Sequence, residues 1–173
     1  MSKNASFVLF LGIFFVPYAG LTQETKSSDN YVIEVERPVE GEEVAREFDA
    51  RGKVIINPKG ISQDILLVSI IKPATYPRYY IQSRTILKFT MKNGDYEADW
   101  LSHCWVGSPN DYGKKFYLYI FLLEKKYLRE LEDMDEKSSE DGIGEGEFKK
   151  DFLDVSNNYF VKTKPIQIYR KFE

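Results

Sequence analysis

Turn-forming residues cut the chain between Tyr31 and Leu123 into short runs. The breaks fall at Pro38, Glu40-Gly41-Glu42, Asn57-Pro58-Lys59-Gly60, Lys72-Pro73, Asn93-Gly94-Asp95 and Gly107 to Gly113. Within the runs the pattern is that of strands. Tyr31, Ile33 and Val35 alternate with Glu34 and Glu36, the period-2 signature of a half-buried strand. Leu87, Phe89 and Met91 alternate in the same way with Lys88, Thr90 and Lys92. Phe48 to Ile56, interrupted by Gly52, and Tyr96 to Val106 are further candidates, and Tyr79 to Gln82 reads as an extended segment. Ile65 to Ile71 and Phe116 to Leu123 are apolar on both faces, as expected of central strands. Short strands with a turn signal about every 8–12 residues predict an all-β sandwich.

The first residues have a different character. Met1-Ser2-Lys3-Asn4 carries one positive charge, Ala5 to Val16 is apolar or small, and Pro17 to Thr22 supplies a helix breaker and small residues. That order predicts a secretory signal peptide over residues 1–22. A membrane-spanning helix needs about 20 apolar residues, and the stretch between Asn4 and Pro17 falls short of it. The alternative is an uncleaved segment that anchors the chain, its one expected contact with a membrane. No cysteine precedes Cys104, so a lipidated anchor is not expected. The predicted compartment is extracytoplasmic, either periplasmic or secreted.

Removing the signal leaves about 150 residues, the size of a single domain. Residues 23–30 read as a polar, flexible lead-in and 31–173 as the domain. Its core has to hold without staples, because a lone cysteine forms no internal disulfide. The whole chain carries a net charge of −3, and −4 without Lys3. An acidic balance argues against nucleic acid, which calls for a basic face.

The pattern changes at Glu124. Glu124 to Met134 has helical propensity, with Tyr127, Leu128 and Leu131 as a short apolar stripe, and Asp135 to Glu147 is acidic and glycine-rich. Between 124 and 154 stand twelve Asp or Glu against six Lys or Arg, so most of the net negative charge lies here. A charge run of this kind reads as a solvated loop. Ile166 to Tyr169 then returns to strand alternation. Residues 124–158 are therefore expected to be an insertion, a short helix plus acidic loop, before the last strand of one domain.

Several pieces in order carry a resemblance. Pro38 to Val44 has the spacing P-x-x-G-x-x-V, and Phe48 to Gly52 is an apolar strand with a glycine. Leu66 to Pro73 is a long strand ending at proline, and Tyr80-Ile81-Gln82 follows. Gly94-Asp95-Tyr96 and the glycine-bounded Gly107 to Tyr119 complete the set. The chain resembles immunoglobulin-like, fibronectin-like β-sandwich domains of bacterial and archaeal cell-envelope proteins over about residues 31–123 and 160–172. It departs from them in Tyr96, where tryptophan is more usual, and in the acidic insertion. The resemblance implies an immunoglobulin-like antiparallel sandwich and an accessory or adhesive role, and it carries over no catalytic residues.

No residue set points to a cofactor, a metal or catalysis. His103 and Cys104 are chain neighbours, but neighbours on a strand face opposite ways, and a thiolate nucleophile needs its base within reach. Trp100, Cys104 and Val106 share one parity, which predicts a buried cysteine. One histidine and one cysteine do not make a zinc site. The acidic residues from Asp133 to Asp141 lack the spacing of a calcium-binding loop. Tyr76, Arg78, Tyr79, Tyr80 and Tyr112 are the candidate ligand-binding residues, since exposed tyrosine and arginine suit contact surfaces. Their competing role is to cap the core, with ring bodies buried and hydroxyls wet.

The functional expectation is an exported, non-enzymatic module that binds a protein or polysaccharide in the envelope or outside the cell. The alternative is an extracytoplasmic hydrolase using Asp95, Glu97 and Asp99, which alternate along one strand face at about 6–7 Å spacing. Nothing in the sequence specifies an oligomeric state.

Overall fold

The computed structural model describes residues 23–28, 30–60, 64–75, 79–108, 110–129, 133, 147–148 and 160–172. Two sheets face one another. The first has five strands in the order β1-β2-β4-β8-β7, formed by Gln23–Ser28, Tyr31–Arg37, Glu47–Ile56, Asp95–Trp105 and Thr90–Lys92. The second runs β10-β6-β5-β9-β12-β3: Glu147–Phe148, Tyr79–Ile86, Ile65–Pro73, Lys115–Glu124, Ile166–Arg170 and Glu42–Val44. The short β11, Val161–Lys162, also pairs with β9 in this second sheet. Among the described residues all pairings are antiparallel except β3 with β12. The all-β sandwich read from the sequence is the fold.

Alternation places the core. Ile33, Val54, Trp100 and Cys104 of the first sheet meet Ile65, Leu67, Leu118, Ile120 and Ile168 of the second. The two-faced strands β5 and β9 bury a second cluster on the far side of their sheet: Leu66, Val68, Ile70, Phe121 and Leu123. Tyr127 and Leu128, which follow β9 directly, pack against that cluster. The expected helix begins as a 3₁₀ turn at Lys125–Tyr127 with helical Leu128 and Arg129 after it. Most of 130–159, Leu131 included, lies outside the described residues, but Glu147–Phe148 pairs with Tyr80 and Tyr79 at the sheet edge.

Three local features depart from simple period-2 reading. The polar lead-in forms β1, which pairs with β2 from Gln23 opposite Val35 onward; an edge strand needs only backbone partners, not an apolar face. The single run expected over Leu87 to Lys92 is divided. β6 ends at Ile86 in the second sheet, Leu87 enters the core, and Thr90–Lys92 joins the first sheet. Gly52 does not interrupt β4. A Cβ there would meet the Glu34 carbonyl oxygen at 2.0 Å and Trp100 Cζ2 at 3.0 Å, so only glycine lets β2 and the indole approach this closely.

The chain changes sheets early. β2 pairs with β4 only as far as Arg37 opposite Arg51, and Pro38, joined to Arg37 by a cis peptide, leads it away to β3. Gly41 takes the left-handed conformation (φ 80°) that the turn requires, and its N–H donates to Gln167 O at 2.7 Å. Among the described residues, 47–50 of β4 have no strand on the β2 side.

Candidate binding surface

Three of the five tyrosine and arginine positions singled out in the sequence are described, and they stand apart. Tyr79 faces the outer cluster of the second sheet, its ring 6.1 Å from that of Tyr119, with Lys72 Nζ 5.4 Å away. Tyr80, its neighbour on the strand, points to the other face. Tyr112 lies at the β12 side of the same sheet, three strands from β6, stacked on Phe172 at 5.4 Å. The Arg170 guanidinium sits 5.2 Å from the Tyr112 ring. Arg170 is only 1% exposed, so Tyr112 covers a buried cation. Tyr76 and Arg78 lie outside the described residues.

His103 and Cys104 do face opposite ways. The thiol is buried, its Sγ 3.4 Å from Ser102 Oγ, and burial pushes its pKa up to about 11. The imidazole is out on the sheet surface, with Nδ1 2.8 Å from Asp49 Oδ1 and Nε2 3.9 Å from Glu47 Oε2. Asp95, Glu97 and Asp99 run along β8, and Glu97 is held between Lys53 and Lys92, each 3.5 Å from its Oε2. Among the described residues no three His, Cys, Asp or Glu side chains cluster as metal ligands, and no helix is long and apolar enough to cross a membrane.

The surface that the structure assembles is elsewhere, on the outer face of the first sheet. Because Trp100, Ser102, Cys104 and Val106 turn inward, Leu101, His103 and Trp105 must turn out. Leu101 is 58% exposed and Trp105 46%. The His103 ring stands edge-on to the Trp105 indole, centroids 4.7 Å apart. Across the ladder, Trp105 is opposite Glu47, His103 opposite Asp49 and Leu101 opposite Arg51. Two large apolar side chains are thus set among charges of both signs. The same parity that predicts a buried Cys104 implies this stripe, but the sequence does not show that no strand or loop covers it.

Beside the stripe lies a groove of about 390 Å³, where β2 turns away from β4. Pro38, Val44, Ala45, Phe48 and Leu101 make its apolar walls, and Arg37, Glu42, Glu43, Asp49 and Arg51 its charged rim. Both arginines already have carboxylate partners: Arg37 hydrogen-bonds Glu42, and Arg51 Nε is 3.6 Å from Glu36 Oε2. Glu43 has no ion pair among the described residues. The groove exists because the sheet change at Pro38 removes the strand that would fill it. No family model matches the chain, and no curated protein or solved structure matches it either.

Proposed function

We propose that this chain is an exported, immunoglobulin-like module that binds a protein or polysaccharide partner in the cell envelope or outside the cell, without catalysis. The observation that carries the binding reading is the exposed Leu101, His103 and Trp105 stripe. Aromatic residues are enriched at contact surfaces, which are rimmed by polar groups, and the β-ladder holds these three in place. Leu101 and Trp105 leave apolar area in water that a partner would cover.

The immunoglobulin-like reading rests on strand order. β2-β4-β8-β7 facing β6-β5-β9-β12 corresponds to the A-B-E-D and C′-C-F-G sheets of such a sandwich. Antibody domains pin the second and sixth strands with a disulfide. Here the equivalent strands β4 and β9 contribute aliphatic residues such as Val54, Leu118 and Ile120 to one core cluster, and Trp100 lies on β8 rather than on the third strand. Export is supported by the charged start, apolar run and small-residue exit of residues 1–22.

Site-specific photocrosslinking tests this directly. A photoreactive amino acid placed at residue 105 or 101 should give a discrete adduct in the producing cell, recovered outside the cytoplasm. The same group at residue 88, off the stripe, should not. Equal adducts from all three positions, none from any, or recovery of the protein in the cytoplasm would overturn the reading.

A further inference from the structure

We infer that the groove beside β4 takes an extended peptide that adds to β4 as a strand, and that this peptide alternates apolar and basic residues. The inference rests on the binding-module reading above and names the class of partner and the mode of contact.

The backbone argument comes first. In an antiparallel ladder the pairs alternate, and at every second pair the N–H and C=O groups point away from the partner strand. Val106 N–H donates to Arg46 O at 2.9 Å, while Trp105 N–H is turned the other way, to Gln82 Oε1 at 2.7 Å. The pairs of Glu47 with Trp105 and Asp49 with His103 are therefore the non-bonded ones between β4 and β8. The N–H and C=O of Glu47 and Asp49 consequently point to the β2 side. Arg51, next in the same parity, is met there by Arg37, but β2 goes no further. Among the described residues nothing hydrogen-bonds the backbone of Glu47 or Asp49.

The groove lies on that side of β4, with Asp49 in its rim. From Glu47 to Arg51 is about 14 Å, room for a strand of about four residues. Strand addition of this kind takes its affinity from main-chain bonds and its specificity from pockets for alternate side chains. Phe48 and Val44, on the core-facing side, offer the apolar pocket, while Leu101 lines the groove from the opposite, outer face. Charge chooses the flanks: both rim arginines are paired within the protein, whereas Glu43 has no ion pair among the described residues, which favours lysine or arginine on the incoming chain.

Panning a random heptapeptide library displayed on phage against the purified protein tests this. The expected enriched sequences alternate aliphatic residues with Lys or Arg, and a synthetic copy shifts the amide resonances of Glu47 and Asp49. N-methylating the peptide's backbone nitrogens should weaken binding at least tenfold, a result independent of any variant's folding. Asp49→Pro, which removes an N–H facing the groove and not one in the β4–β8 ladder, should do the same. No enrichment, acidic enriched sequences, or a peptide whose binding ignores N-methylation would overturn strand addition. In the last case peptide binding itself would stand, so the two readings fail separately.

Discussion

Ser69 Oγ and Ser102 Oγ hydrogen-bond to each other in the middle of the core, one hydroxyl from each sheet. Both residues are buried, and Ser102 also lies beside Cys104 Sγ. This polar link ties β5 to β8 among mainly apolar neighbours. Removing the Ser102 hydroxyl takes away the serine partner of Ser69, and removing that of Ser69 leaves Ser102 only the weak Cys104 Sγ contact at 3.4 Å. Removing both leaves neither hydroxyl to satisfy, and an unsatisfied buried hydroxyl costs about 1–3 kcal/mol. Ser69→Ala and Ser102→Ala should each destabilise by that order, and the double variant by clearly less than their sum. Urea unfolding of the four proteins in a double-mutant cycle measures the coupling, and strict additivity would refute it.

The Cys104 thiol sets an alkaline limit. Its pKa is raised from 9.0 to about 11, chiefly by burial. A raised folded value means the stabilisation is complete below pH 9 and is lost as pH climbs toward 11, because only the unfolded thiol ionises in that window. Stability should fall by about 2 kcal/mol across it. Burial raises Tyr31 and Tyr119 in the same sense, so the thiol's share is read as the difference from Cys104→Ala. Equal alkaline slopes for the two proteins would count against this account.

Asp111 sets an acid limit. It accepts from Ser108 N at 2.6 Å, pairs with Lys114, and closes the loop between β8 and β9. The Lys114 hydrogen bond first, then the Ser108 amide, lower its pKa from 3.8 to about 2. A depressed folded value stabilises above pH 4 and is lost as pH falls from there toward 2. The carboxylate is partly exposed, so the effect is about 1 kcal/mol after screening. Asp111→Ala should lose about that much at pH 7 and show a flatter acid limb between pH 4 and 2 in thermal melts.

Gly52→Ala should destabilise by about 2 kcal/mol or more, because the new methyl meets a backbone carbonyl that has nowhere to move. Thermal denaturation checks it. Gly94→Ala, at a turn with open space around it, provides the contrast: its cost comes from the positive φ alone (96°). A Gly52→Ala penalty no larger than that of Gly94→Ala would mean the strands can part.

Tyr112→Ala separates structural capping from ligand contact. Its ring covers the buried Arg170 and stacks on Phe172. Its loss should lower stability by about 1–2 kcal/mol while leaving the adduct yield from residue 105 unchanged. Reduced adduct formation at full stability would assign Tyr112 to the binding surface instead.

Much of this architecture is legible in the residues. The sequence by itself determined the long central strands and which way their side chains face, but not the edge strands β1 and β3, which are held by backbone pairing. Period-2 alternation fixes the two faces of a strand locally, so Trp100, Cys104 and Val106 were bound to lie inside and β5 and β9 to lie centrally. Tertiary structure alone decided which strands meet and what is left uncovered. The Glu40 carboxylate accepts from Gln167 N across 127 residues, β3 runs parallel to β12, and the run from Leu87 to Lys92 is shared between two sheets. Alternation is blind to such choices, because it records a strand's faces and not its neighbours. The exposed stripe was half written in the parity of β8. The groove was not, since it is the space left where β2 departs at Pro38, and only the packed sheets define a space.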